Sequence, residues 1–348
     1  MLASGVYNVS YAQDMAIVRT RLQWLLFIAL FALIAVIPLV IPSRWMVFFI
    51  LIGINVTTLH GLNILTGYSG QVSLGHAAFM AVGAFASAAL VVQLQLPFWL
   101  ALPAGGLVAA IVGMIFGVPA LRIKGFYLVL ATLAAHFIII FVINRSPQIG
   151  GALGQLVPRP TFGPLVIDSD ERYYYLVMAV AAIMTFLAKN LVRTNVGRAL
   201  VAIRDSDIAA EVMGVNVFRY KVLAFGISAF YAGVAGTLLT FYMGMAHTQY
   251  HSLDDAIWYV GMLVVGGMGS MVGPIFGAIF FQVIQEVLTF AGPAIHSAFP
   301  FLAAEISSSL SVLVWALLII LFLIFEPRGV SHRWEIFKSY YRLHPYAY

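Results

Sequence analysis

The chain of 348 residues contains no cysteine and very little charge. The first absence excludes disulfides, thiolate nucleophiles and cysteine-ligated metal. The second constrains more: Asp, Glu, Lys and Arg together make up 9% of residues, against about 25% in a soluble globular chain. Apolar residues make up 62% and the mean hydropathy is +0.99. These values describe a polytopic membrane protein. Also missing are the His-Glu-x-x-His helix of zinc hydrolases and the Gly-x-x-x-x-Gly-Lys-Ser/Thr loop that cradles phosphates. The net charge of +5 reads as loop bias toward one membrane face rather than affinity for nucleic acid. No cleavable leader is expected, because the first apolar run, from Leu22, exceeds the roughly 7–15 residues of a leader's apolar core.

About 20 apolar residues are needed to cross a bilayer as a helix. Ten runs qualify: 22–41, 45–65, 74–94, 98–119, 126–144, 173–191, 218–245, 256–272, 274–291 and 309–325. The expected fold is therefore an all-α transmembrane bundle of about ten spans in one domain, 1–348. With the N-terminus inside, only Arg44, Arg145, Arg159 and Arg172 of the 18 Lys and Arg fall outside. That bias obeys the positive-inside rule and places both termini in the cytoplasm. The parts outside the bilayer are then an inner N-terminal segment 1–21, an outer loop 145–172, an inner loop 192–217 and an inner tail 326–348. The outer loop is rich in glycine and proline, and so long a loop without elements of its own is usually functional or disordered.

The stretch 61–85, GLNILTGYSGQVSLGHAAFMAVGAF, breaks the apolar pattern. It carries Asn63, Thr66, Ser69, Gln71, Ser73 and His76 among glycines that include Gly67, Gly70 and Gly75. Lipid does not tolerate unsatisfied polar groups, so this stretch is either re-entrant or a helix whose polar side is enclosed. Any one such residue, like Thr132 or His136 further on, reads as a hydrogen bond between helices worth about 0.6 kcal/mol. The density over 63–76 reads instead as the lining of a path, with Asn63, Gln71, Ser73, His76, Thr132 and His136 as its polar groups. Catalysis by Ser69 or Ser73 with His76 is a minor alternative, since Gly-Tyr-Ser-Gly places its second glycine one residue too early for a nucleophile elbow. The spans hold no fixed charge except Glu286, placed near the outer end of its helix, so the energy source is expected to lie outside the chain.

Two further segments stand out. A weak echo of 67–84 occurs at 266–283, GGMGSMVGPIFGAIFFQV, where Gly269, Gly273 and Gly277 serve either close helix packing or a moving joint. The segment 197–213, GRALVAIRDSDIAAEVM, predicts one or two short helices across the inner face. Val196, Leu200 and Ile203 share a face, Ser206 and Asp207 cap a second helix after a bend near Arg204, and Gly214 takes a positive φ beyond its end. Lipid could hold Arg198 and Arg204, but Asp205, Asp207 and Glu211 would be repelled by an anionic surface. Mixed charge with small residues fits a groove on a partner protein better.

At these motifs the chain resembles the M-type permease subunit of branched-chain amino-acid ABC importers, the LivM-like family. The resemblance rests on GLNILTGYSGQVSLGHAAFMAVGAF, LRIKGFYLVLATLA (121–134), 197–238, GGMGSMVGPIFGA (266–278) and FEPRGV (325–330). It implies an inner-membrane importer subunit in a heterodimer with a homologous H-type permease, with two ABC ATPases below and a periplasmic substrate-binding protein above. The segment 197–214 would be the coupling loop, with Arg198, Arg204, Glu211 and Gly214 on the docking pattern, and Asp205 and Asp207 are further coupling candidates in it. Gly67, Gly70, Gly75, Gly269 and Gly273 would let the path move. No catalytic residue, metal or cofactor is expected in the chain itself, ATP and Mg belonging to the ATPases. Stretches 149–160 and 245–257 depart from the amino-acid members. The family also includes transporters of urea, short amides and other small solutes, and a stand-alone secondary carrier is the competing class.

Overall fold

The computed structural model describes residues 21–120, 123, 125–162, 165–298, 304–326 and 328–343. Arg122, Lys124 and the N-terminal segment before residue 21, which entered the charge count, lie outside the described residues. In chain order the helices are α1 (Arg21–Val40), α2 (Met46–Leu62), α3 (His76–Val92), α4 (Phe98–Ala120), α5 (Phe126–Asn144), α6 (Asp170–Arg193), α7 (Asn195–Asp205), α8 (Asp207–Val212), α9 (Val217–Met243), α10 (Leu253–Gly266), α11 (Gly273–Ala298), α12 (Ala304–Phe325) and α13 (Val330–Leu343). Each of the ten predicted runs holds a helix. Among the described residues six of these are long and apolar enough to cross a bilayer alone: α2 with its extension, α4, α5, α6, α9 and α11. With α12 and α13 joined as one bent span the number is seven. The 17 residues of α3 and the 14 of α10 fall short of a full crossing.

The bundle is built around α2 and α9, whose spans are 67% and 72% buried. Without a hydrophobic drive between helices in lipid, close backbone approach supplies the packing, and small residues permit it. A Cβ at Gly83 of α3 would overlap the Gly233 backbone of α9, and one at Gly236 would overlap the Met80 carbonyl. On α4, Gly113 faces Ala229 and Gly105 faces Thr237. Thus α3 and α4 clasp α9 from one side. On the other side α6 lies against α2, with Val177 over Gly53. Two hydroxyls then secure α1 to α6: Tyr174 donates to the Ile34 carbonyl at 2.9 Å and Tyr175 to the Ala35 carbonyl at 2.8 Å.

Three expectations need correction. α10 ends at Gly266, well short of 272, because Gly267 (φ 110°) and Gly269 (φ 76°) take left-handed conformations that end the helix. α11 continues to Ala298, so Glu286 sits near its middle and not at its outer end. The loop 145–172 is neither long irregular coil nor disordered over its described residues. It folds into turns at Pro147–Ile149 and Gly151–Leu153, and strand β1 (Gln155–Leu156) follows. β2 (Thr161–Phe162) and β3 (Leu165–Val166) form a hairpin, while β1 pairs antiparallel with β4 (Met245–Ala246). Ser169 then caps α6, whose first turn carries Asp170 and Glu171.

Candidate functional site

α2 does not stop at Leu62. It widens into a π turn over Asn63–Tyr68, and the chain then breaks until α3 begins at His76. The stretch is therefore a break between two helices. A break inside a membrane protein must satisfy its freed backbone groups locally, and here the polar side chains do so. Ser69 donates to the Leu65 carbonyl at 2.6 Å, Thr66 donates to the Gln71 carbonyl at 3.2 Å, and Gln71 donates to the Ser69 hydroxyl at 2.8 Å. The Ser73 hydroxyl accepts from the Gly75 amide at 3.2 Å. From α5, Thr132 accepts from the Leu74 amide at 3.0 Å and donates to the Val129 carbonyl. A side chain at Gly75 would press on the Thr132 carbonyl at 2.9 Å.

His76 joins three helices. Its Nε2 lies 3.1 Å from the Thr58 carbonyl of α2, and its Nδ1 lies 3.4 Å from the Ser228 hydroxyl of α9. A carbonyl can only accept, so Nε2 carries the proton and Ser228 donates to Nδ1. His136, also buried, lies apart from this group. It stands one turn beyond Thr132, beside buried His251 of the turn Thr248–His251.

Asn63 reaches furthest. Its amide donates to the Ser270 carbonyl at 2.7 Å, and its oxygen accepts from the Gly269 amide at 2.8 Å. The two glycine-rich echoes thus touch, clamped by one side chain. Both combine a helix end, a left-handed glycine (Gly70 at 72°, Gly269 at 76°) and a new helix start. A Cβ at Gly67 would stand 3.0 Å from the Gly269 Cα. Gly273 and Gly277 pack the start of α11 against Gly267, Gly266 and Met262.

Arg204 at the end of α7 meets the same junction. It donates to the Gly67 carbonyl at 3.1 Å and pairs with Asp205 at 3.0 Å through both Nε and Nη2. Its stem covers Gly70, where a Cβ would lie 3.0 Å from Arg204 Cγ. Leu200 and Ile203 bury the inner face of α7, with Ala199 beside them. α7 ends at Asp205, and Ser206 caps α8 by accepting from the Ala209 amide at 3.2 Å. Asp207 pairs with Lys221 of α9 at 3.6 Å, and Gly214 (φ 84°) turns the chain into α9. Arg198, Asp205 and Glu211 are exposed. The residues that sequence reasoning missed are the apolar Ile208, Val212 and Met213, which are 69%, 81% and 83% exposed. Their spacing opposite buried Ala210 was the available signal. Among the described residues no three His, Asp or Glu side chains gather as a metal would require.

Residues 41–324 match the family model described as "Branched-chain amino acid transport system / permease component". The chain is 34% identical over 253 residues to the high-affinity branched-chain amino acid transport system permease protein LivM of Escherichia coli K12. The LivM of Salmonella typhimurium is 33% identical over the same length. These matches cover 66% of this chain and 60% of each relative's length. The permease protein LivH of Salmonella typhimurium is 25% identical over 80% of this chain and 91% of its own. Among solved structures, PsaBC from Streptococcus pneumoniae in complex with Fab aligns over 88% of this chain and 99% of its own at 16% identity and a TM-score of 0.42, too low to define a shared fold. Both the matched span and the identity to the LivM proteins lead to one conclusion: the chain belongs to the family of permease components of branched-chain amino acid transport systems.

Proposed function

We propose that this chain is the membrane-spanning permease subunit of a binding-protein-dependent ABC importer, moving branched-chain or related amino acids across the bacterial inner membrane. An H-type permease is its partner in a heterodimer, two ABC ATPases lie on the cytoplasmic side with both termini, and a periplasmic binding protein delivers cargo to the opposite end. The observation that carries this reading is the surface of α8. Ile208, Val212 and Met213 project from a six-residue helix at the most basic end of the bundle. Exposed apolar side chains set among charges mark a protein contact. They suit the ATPase groove, with Glu211 and Arg198 at the rim.

The same segment has a route into the membrane. Movement of α8 displaces α7, because Ser206 alone separates them. Arg204 then pulls on the Gly67 carbonyl, and Asn63 passes the displacement to Gly269 and Ser270. Each contact has differential value only if the helices have two arrangements, and a π turn followed by the left-handed Gly70 and touching the left-handed Gly269 supports such a joint.

The test separates docking from transmission. Val212→Asp and Met213→Asp are expected to abolish copurification of the ATPases while the chain inserts normally. Arg204→Ala is expected to keep the ATPases bound and hydrolysing ATP in proteoliposomes, yet cut leucine uptake at least tenfold. ATPases still bound to both α8 variants would sink the docking reading.

A further inference from the structure

A cavity of about 280 Å³ opens among α2, α9, α10 and α11, remote from the Arg204 junction. Its volume is near the low end of the roughly 300–1,000 Å³ typical of ligand sites. Its wall is largely apolar, with Leu51, Ile54, Leu239, Met262 and Phe281 among its residues. Asn55 of α2 and Gln282 of α11 line it as well, each only 8% exposed. Neither amide makes a hydrogen bond among the described residues. Both amides open on the cavity, where an occupant can pair with them, whereas the polar residues of the break at 63–76 are paired within the chain. Two unspent amides on facing helices therefore point to a polar guest.

Asp255 supplies the one formal charge on the lining. Its Oδ2 closes the capping box of α10, accepting from the Ser252 amide at 2.8 Å and from the Ser252 hydroxyl at 2.7 Å. That arrangement fixes the carboxylate and leaves its other oxygen for a cation. An ammonium on an aliphatic stem is the cation that suits a largely apolar wall with one carboxylate.

We propose that this cavity is a cargo-holding site within the permease, in which Asp255 receives a primary ammonium, Asn55 and Gln282 bind the carboxylate, and the apolar wall takes a compact aliphatic side chain. The proposal deepens the import reading and rests on it for the choice of guest. It moves the point of contact with cargo away from Ser73 and Thr132, whose hydroxyls serve the backbone of the break, and from Gln71, whose amide donates to the Ser69 hydroxyl.

Trp258 lines the cavity and reports on it. The purified permease in detergent is titrated with L-leucine, with isopentylamine, which lacks the carboxylate, and with isovalerate, which lacks the amine. Leucine is expected to change tryptophan fluorescence saturably, isopentylamine more weakly and isovalerate not at all. Asp255→Asn is expected to remove both responses. Asn55→Leu and Gln282→Leu break no internal hydrogen bond, so they are expected to keep or raise the thermal midpoint while weakening the leucine response at least tenfold. In the assembled transporter they lower uptake with ATP hydrolysis intact. An unresponsive wild-type chain, or a response unchanged in both leucine variants, overturns the site. Uptake of leucine by the wild-type assembly is the separate readout of the import reading. If it persists while the site fails, only the site is wrong; if it is absent, the import reading is wrong.

Discussion

Arg204 illustrates how much one side chain can decide. Read from the sequence, it was a surface charge at a bend, available to a partner. In the structure it stays exposed, yet its guanidinium reaches a carbonyl at the helix break while Asp205 holds the guanidinium. Hydrogen bonds from a charged group contribute about 1.5–3 kcal/mol, enough to couple two elements without welding them. His251 makes a second case, with no route from the sequence. It is buried at 1% exposure, and neither ring nitrogen has a hydrogen-bond partner. Burial, aided by neighbouring His136, pushes its pKa down to about 3. The folded chain therefore holds this ring neutral, whereas the unfolded chain protonates it below about 6.5. Its contribution is complete above about pH 6.5 and is lost as pH falls toward 3, by about 1.4 kcal/mol for each unit. The thermal midpoint in detergent is expected to fall between pH 7 and pH 5, and His251→Phe to reduce that fall. Equal falls in the two proteins would show that another group carries the acid sensitivity.

Among elements, the glycines decide which helices can approach. Gly83 and Gly261 look alike in the sequence, each a lone glycine in an apolar run, yet the structure separates them. A Cβ at Gly83 runs into the Gly233 backbone, which cannot yield unless α3 and α9 part. A Cβ at Gly261 meets Ile319 Cδ1 at 2.6 Å, the end of a side chain that can rotate away. Gly83→Ala is thus expected to lower the thermal midpoint and the yield sharply, in the range of the largest single-residue losses, above about 4 kcal/mol. Gly261→Ala should cost about 1 kcal/mol, in line with a small overpacking. A ranking in the opposite order, by thermal unfolding in one detergent, would refute the helix crossing. This contrast also marks what the sequence could tell. Helix positions were legible because each run is apolar for about 20 residues, and the bend at Ser206 with the turn at Gly214 was legible because capping and left-handed glycines are local chemistry. The end of α10 was not. Its apolar run continues past Gly266, and the left-handed φ of Gly267 that ends it goes with the close approach of Gly329 and Ser331, far along the chain. The clamp of Asn63 on Ser270 spans 207 residues, and no local pattern announces it.

For the molecule as a whole, charge and cavity lie at different places and the break connects them. The basic end carries α7, α8 and the Arg204 junction, while the cavity is lined partly by Gln249 and Tyr250 of the turn before α10 and by Asp255 in the first turn of α10. If α8 is where partners push and the cavity is where cargo waits, the helices between must move as a unit. Both routes use α2, which holds Asn55 in its body and leads into Asn63. A lock at the Asn63 clamp should then freeze access without disturbing either end. The absence of cysteine makes this directly testable. Asn63→Cys with Ser270→Cys introduces the chain's sole thiols, so any intramolecular disulfide is the intended one. The reduced double variant lacks the Asn63 clamp and is expected to take up leucine more slowly than the wild type; oxidation is expected to stop that remaining uptake, and dithiothreitol to restore it to the reduced level. Each single variant should respond to neither reagent. ATPase copurification should stay unchanged, since α8 is untouched. Full uptake in the oxidised, cross-linked protein would mean that the break and the loop at 267–270 move as one rigid piece, and transmission would then have to run through α9, where Lys221 grips Asp207.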